Sequence, residues 1–194
     1  LEKIKKKINN DEKNLLNIIQ KYVYGFDKEE LESSIGRLLI RKNKTISFAE
    51  SCTGGFVSHM ITTVPGSSQY FMGSIIAYSN EIKMNNLNVK KETIEKYGAV
   101  SREVAEEMAK NVRQKFKSSI GISTRGIAGP DGGTKDKPVG TVWIGYSDKD
   151  KTTSKKLILT KRRDINITLS AVNALNQVRI NLESNSKSNG HSSK

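Results

Sequence analysis

The run Ala49-Glu50-Ser51-Cys52-Thr53-Gly54-Gly55 constrains this chain more than any other segment. A short apolar stretch, Thr45 to Phe48, leads into it, and an apolar-periodic stretch, Phe56 to Met60, leads out. That order predicts a strand, a tight turn, and a helix that starts on two glycines. Such a turn sets a hydroxyl at the mouth of a cleft and aims unpaired backbone N–H groups at whatever binds there.

The rest of the chain alternates in the same way. Residues 1–26 are Lys/Asn-rich, with apolar positions Ile4, Ile8, Leu15, Leu16, Ile18 and Ile19, and predict a helical extension. The main domain then occupies residues 27–183. Its first helix lies within Phe26 to Lys44, with Asp27 as the expected N-cap. Strands are expected at 45–48, 73–78, 119–123, 141–146 and 155–160. Helices are expected at 53–63, 80–87, 90–97, from Ser101 to about Lys117, and at 165–182. Ser101 is the expected cap of the longest helix. Residues 184–194, rich in Ser, Asn and Lys, predict a disordered tail. Helices interleave with strands early and a hairpin comes late. The class is therefore α/β, a three-layer sandwich with a mixed β-sheet covered by helices.

Composition narrows the setting. The chain has 194 residues, enough for one domain with a sizeable core. No apolar run approaches the roughly 18 residues that span a bilayer, so no membrane partner is expected. The basic N-terminus lacks the apolar block of a secretory signal. A lone cysteine, Cys52, excludes a disulfide within the chain and makes the reducing cytoplasm the default. Cys52, His59 and His191 do not form a zinc-ligand pattern, so no metal is expected. The net charge of +13 favours acidic partners, yet the lysines are scattered and aromatics are only 6%. That argues against nucleic acid as the main ligand and for a solvated basic surface.

Three constellations could carry chemistry, each with an ordinary structural alternative. Ser51 is either a nucleophile beside a helix N-terminus, with the amides of Thr53 to Gly55 as oxyanion donors, or a helix cap. Cys52 is either an activated thiol or a buried structural one. Tyr78-Ser79-Asn80-Glu81-Ile82-Lys83 sits where a strand ends and a helix begins, the side of an open sheet where ligands bind. Lys83 there is either a desolvated general base, as in Ser-Lys hydrolases, or a solvent lysine. The run from Gly126 to Thr134 is either a phosphate cradle or a turn-rich loop. It fits neither a Walker A loop nor a dinucleotide fingerprint.

The blocks AESCTGG at 49–55, VPGSS at 64–68, YSNEIK at 78–83, YGAVSREVAEEMA at 97–109, GIAGPDGGT at 126–134 and KPVGTVWIG at 137–145 occur in order. Over residues 31–180 the chain resembles the CinA C-terminal domain family, the competence-damage-inducible proteins. Free-standing members of that family are nicotinamide-nucleotide amidohydrolases. The resemblance implies hydrolysis of nicotinamide mononucleotide to nicotinate mononucleotide and ammonia, with no metal or organic cofactor, and it is compatible with a homo-oligomer. The implied catalytic residues are Ser51 as nucleophile, Lys83 as base and Tyr78 as orienting or donating group. Implied substrate contacts fall on Glu50, Thr53, Gly54, Gly55, Asn80, Arg125, Gly126, Gly129, Gly132, Gly133, Thr134 and Arg163.

Two departures stand out. The family usually has Thr directly before the GIAGP block, where this chain has Arg125. A guanidinium there either fills the pocket and stops turnover or clamps an anion bidentately. A Gly-Asp-Arg stretch usual near the last helix is replaced by Lys161-Arg162-Arg163, with Ile167 where a further arginine is common. Arg163 is the expected phosphate-facing residue. A mononucleotide amidohydrolase is the leading expectation. The alternatives are a catalytically impaired nucleotide-binding module of the same fold, owing to Arg125, and a nucleic-acid binder acting through residues 1–26.

Overall fold

In the computed structural model, which describes residues 1–187, the chain order is α1 Glu2–Ile19, α2 Leu31–Arg41, β1 Ile46–Glu50, α3 Phe56–Thr62 and β2 Phe71–Ile76. Then follow α4 Asn80–Leu87, α5 Lys91–Tyr97, α6 Arg102–Lys115, β3 Ile120–Gly126, β4 Thr141–Ser147, β5 Thr152–Ile158 and α7 Arg163–Lys187. The expected tail is thus helical as far as Lys187, and residues 188–194 lie outside the described residues.

The sheet order is β2-β1-β3-β4-β5. β1 is parallel to β2 and β3, whereas β4 and β5 run antiparallel. β1 lies inside the sheet and is buried on both faces, so its polar Ser47 and Glu50 are buried along with Ile46, Phe48 and Ala49. Its Ile46 and Phe48 join α2, α3 and α7 in the larger core, with Leu39, Ile61, Leu175 and Val178. Its Ala49 joins α6 and the α4–α5 segment in a second core around Leu87, Val104, Met108 and Val112. The result is the mixed-sheet α/β sandwich that the alternation of elements predicts.

The second core is thin because its helix comes close. A Cβ added at Gly121 would collide with the Ala109 carbonyl, and one at Gly145 with the Ala105 carbonyl. Small hydroxyls line the same face. Ser123 Oγ donates to the Ala105 carbonyl (2.6 Å) and Ser47 Oγ to the Val112 carbonyl (3.2 Å). Glycine and serine on the sheet thus seat α6 directly on the backbone of β3 and β4.

Some boundaries differ from expectation. α2 begins at Leu31 after Glu30, with no side-chain cap. Asp27 is not its N-cap. It takes φ of 54° in the preceding turn, a conformation Asp tolerates. α3 begins at Phe56 rather than Thr53, because the intervening turn is held by Glu50. β3 runs three residues past Ser123, because Thr124, Arg125 and Gly126 pair with Ile144, Trp143 and Val142. Ser79 and Ser101 cap α4 and α6, accepting from the amides of Ile82 (3.1 Å) and Val104 (3.4 Å). α1 buries no residue, and Leu1, Ile4, Ile8, Leu15 and Ile18 stay exposed along it.

The chain leaves β1 towards β2 on one side, while β3 lies on the other. The carboxyl ends of β1 and β3 therefore flank a topological switch point, where open α/β sheets leave a crevice. Ser51 follows β1 directly and Arg125 sits near the end of β3. Gly145→Ala should destabilise the fold by about 1–3 kcal/mol through overpacking against α6. Urea denaturation checks this, and an unchanged midpoint would show that α6 is free to lift.

Candidate active site

The turn after β1 is built around a buried carboxylate. Glu50 Oε2 accepts from Thr53 Oγ1 (2.7 Å), Gly55 N (2.9 Å) and Val57 N (3.1 Å). Oε1 accepts from Ser58 N (2.8 Å) and Ser58 Oγ (2.6 Å). Gly55 takes φ of 103° at the start of α3, a left-handed conformation that suits glycine. Thr53 Oγ1 also contacts Thr124 Oγ1 (2.6 Å). Because the carboxylate only accepts, Thr53 must give its proton to Glu50, and Thr124 donates to Thr53.

Three expectations change here. Glu50 does not face a ligand, since it caps α3 from inside the core. Gly54 N donates to the Ser51 carbonyl (3.2 Å) and Gly55 N to Glu50, so neither amide is a free oxyanion donor. Of the three expected donors, Thr53 N alone has no partner among the described residues.

A cavity of about 480 Å³ opens at the switch point, within the usual range of small-molecule pockets. Its walls include Ser51, Cys52, Tyr78, Arg125, Gly126, Gly129, Gly132, Thr134 and Arg163, all but Cys52 expected at the site. Of the expected site residues, Lys83, Glu50, Thr53, Gly54, Gly55, Asn80 and Gly133 do not border it. Asn80 opens α4 on the surface, and Gly133 is turned against Val139. Sequence reasoning missed the wall made by Gly98, Ala99 and Val100, between α5 and α6, and it missed Lys137. Their signal was present in the blocks at 97–109 and 137–145, but neither carries a residue that looks reactive.

Ser51 Oγ accepts a hydrogen bond from Arg125 Nη1 (2.8 Å), and Arg125 Nε donates to the Ala99 carbonyl (2.9 Å). A direct or one-water contact between Ser51 and Lys83 is the expectation; among the described residues no direct hydrogen bond joins them. Among the described residues no acceptor takes the Ser51 proton. Lys83 is fully buried, and its Nζ donates to the carbonyls of Tyr78 (2.9 Å) and Ser79 (3.0 Å). Burial first, and the Arg125 charge second, lower its pKa to about 7. A neutral amine keeps two N–H groups, enough for both carbonyls, and leaves one lone pair free to accept a proton. The Tyr78 backbone thus orients Lys83, whereas the Tyr78 phenol accepts from Arg163 Nη2 (2.8 Å). Arg163 Nη1 donates to the Gly129 carbonyl (2.8 Å), which fixes the glycine-rich loop to the start of α7. Burial raises the Cys52 thiol to about 11, so it is a structural thiol and not a nucleophile at neutral pH.

The CinA C-terminal domain model matches residues 28–182. The chain belongs to that family. It is 50% identical over 183 residues to a CinA-like protein of Cytophaga hutchinsonii, a match that covers 94% of this chain and 44% of that protein. The chain thus spans less than half the length of such curated relatives. Solved CinA structures are shorter. A competence-damaged protein (CinA) superfamily protein from Klebsiella pneumoniae superposes with a TM-score of 0.77 at 26% identity, covering 82% of this chain and 99% of its own. A competence/damage inducible protein from Agrobacterium tumefaciens gives 0.74 at 28%, with the same coverage. Among the described residues of this CinA domain, no helix is long and apolar enough to cross a membrane, and no three His, Cys, Asp or Glu side chains cluster as metal ligands would.

Two measurements check this geometry. Glu50→Gln should destabilise the domain by about 2 kcal/mol or more, because either amide orientation sets an NH2 against donors already aimed at that oxygen. Chemical denaturation reads it. Lys83 has a folded pKa below its unfolded value, so the unfolded chain binds more protons between about pH 7 and the ordinary lysine range. Stability from this group therefore rises with pH across that window. Lys83→Met should stabilise the domain most at the acid end of the window and progressively less towards pH 10, as followed by thermal unfolding.

Proposed function

We propose that this CinA domain is an amidohydrolase that converts nicotinamide mononucleotide into nicotinate mononucleotide and ammonia. The observation that carries the reading is Lys83, a fully buried amine held by the carbonyls of Tyr78 and Ser79, with burial and the Arg125 charge on the cavity wall both disfavouring its protonated form. General bases are tuned towards neutrality by burial and neighbouring charge.

Ser51 Oγ attacks the carboxamide carbon, and the free lone pair of Lys83 takes the hydroxyl proton. Arg125 steadies the negative charge first on the serine oxygen and then on the tetrahedral intermediate, with Thr53 N as the remaining backbone donor. The C–N bond breaks as Lys83 returns its proton to the departing ammonia. Water then hydrolyses the acyl-enzyme, with Lys83 as base again, and releases the carboxylate. Arg163, Lys137 and the loop from Gly126 to Thr134 hold the phosphate end. The substrate is a small mononucleotide, and the domain needs no metal or organic cofactor in this scheme.

The Ser51–Arg125 hydrogen bond favours a second reading, a nucleotide-binding module in which the guanidinium restrains the serine. Ammonia release from nicotinamide mononucleotide separates the two. Under the first reading Ser51→Ala lowers kcat by at least about 100-fold. The rate climbs as pH rises through about 7, because Lys83 works only when unprotonated. Under the second reading the native chain binds the nucleotide without releasing ammonia, and Arg125→Thr restores release. Equal rates for the native chain and Ser51→Ala would remove Ser51 as nucleophile.

A further inference from the structure

Arg125 is half-buried on the cavity wall and Lys83 is fully buried within its electrostatic reach, and among the described residues no carboxylate pairs with either. Burial and the Arg125 charge both act against protonation of Lys83; the Cys52 thiol opposes the shift at both groups and the Tyr78 phenol at Arg125, but no carboxylate does. Glu50, the nearest carboxylate in sequence to Ser51, gives both oxygens to α3 and its preceding turn. Asp131, on the cavity wall, makes no ion pair with Arg125 among the described residues.

A guanidinium has five N–H groups. Arg125 commits two of them, to Ala99 and Ser51, and three have no partner among the described residues. An always-charged group, largely desolvated and only partly hydrogen-bonded, is energetically poor unless an anion completes it. The fixed Nε–Ala99 bond holds the fork rigidly, so its open edge is set in advance. A planar carboxylate matches that edge bidentately, whereas a neutral carboxamide offers one acceptor and sets an NH2 against the remaining donors.

We propose that Arg125 makes the Ser51 end of this cavity a carboxylate site, so that the domain binds the acid form of a pyridine mononucleotide in preference to the amide. The proposal rests on the pyridine-mononucleotide reading for the rest of the ligand. Its consequence is that the deamidated product is the form the domain retains, so the product inhibits turnover. Lys83 does not border the cavity, but an anion paired with Arg125 offsets the guanidinium charge that holds the Lys83 pKa down and so favours its protonated form. Binding of the acid is accompanied by proton uptake near neutral pH.

Isothermal titration calorimetry of the 194-residue chain with nicotinate mononucleotide and nicotinamide mononucleotide tests this. The acid should bind about ten- to a hundredfold more tightly. Arg125→Thr and Arg125→Gln should each abolish that difference while retaining measurable binding of the amide. Arg125→Lys, which keeps the charge without the fork, should keep a reduced preference. Titrations in two buffers of different ionisation enthalpy should show proton uptake for the acid only. Binding of both nucleotides with no acid preference, or a preference that survives Arg125→Thr, overturns the proposal and leaves the mononucleotide reading intact. A parallel pair, nicotinate and nicotinamide at millimolar concentration, covers the converse case. An Arg125-dependent preference for nicotinate without binding of either nucleotide upholds the carboxylate site and overturns the nucleotide reading. Absence of binding by all four overturns both.

Discussion

The Glu50 carboxylate organises everything around it. One buried anion collects three backbone amides and two hydroxyls from the turn and first residues of α3. The positive end of a helix and a negative side chain at the end of a strand satisfy each other inside the core. The pairing locks the strand-to-helix turn so that Ser51 and Cys52 have one place to go. It also removes the helix terminus from the list of anion sites, so an anion entering the cavity meets side-chain cations instead. A carboxylate expected among the substrate contacts is instead the reason the neighbouring serine is held still.

Much of the fold was legible because its signals are local. The glycine pair at 54–55, the Ser101 cap and the apolar stripe of α6 each act within a few residues, and each holds in the structure. The errors came where a distant strand decides the outcome. β3 looks finished at Ser123 because Gly126 resembles the start of a loop. The antiparallel partner β4 extends it, and this turns Arg125 from a loop residue into a strand residue with a fixed side-chain direction. Asp27 resembles a cap, but the buried position of Leu31 decides where α2 starts.

The site was legible in membership more than in geometry. The motif blocks gathered Ser51, Tyr78, Arg125, the glycine loop and Arg163 around one cavity. They could not say which hydrogen bonds those residues make with one another. The Tyr78 phenol and the Tyr78 carbonyl serve different partners, Arg163 and Lys83, and no spacing rule separates a side chain's role from that of its own backbone. The wall from Gly98 to Val100 contributes a carbonyl and shape, and backbone groups leave little mark on a sequence.

Net charge misleads about this protein for a related reason. The +13 is carried by exposed lysines and reports on the surface. Lys83 and Arg125 are counted in that total, yet Lys83 is fully buried and Arg125 half-buried on the cavity wall, so neither belongs to the solvated lysine surface. Burial lowers the pKa of each, and the Arg125 charge lowers that of Lys83 further. A fold tolerates such an arrangement only if the surrounding structure fixes it. Here two carbonyls hold Lys83, Ala99 holds Arg125, and the cores on either face of the sheet supply the stability. The strain is local to the switch point and has one direct relief, a negative charge delivered by a ligand. A cavity built this way selects ligands by charge at its floor before it selects them by shape.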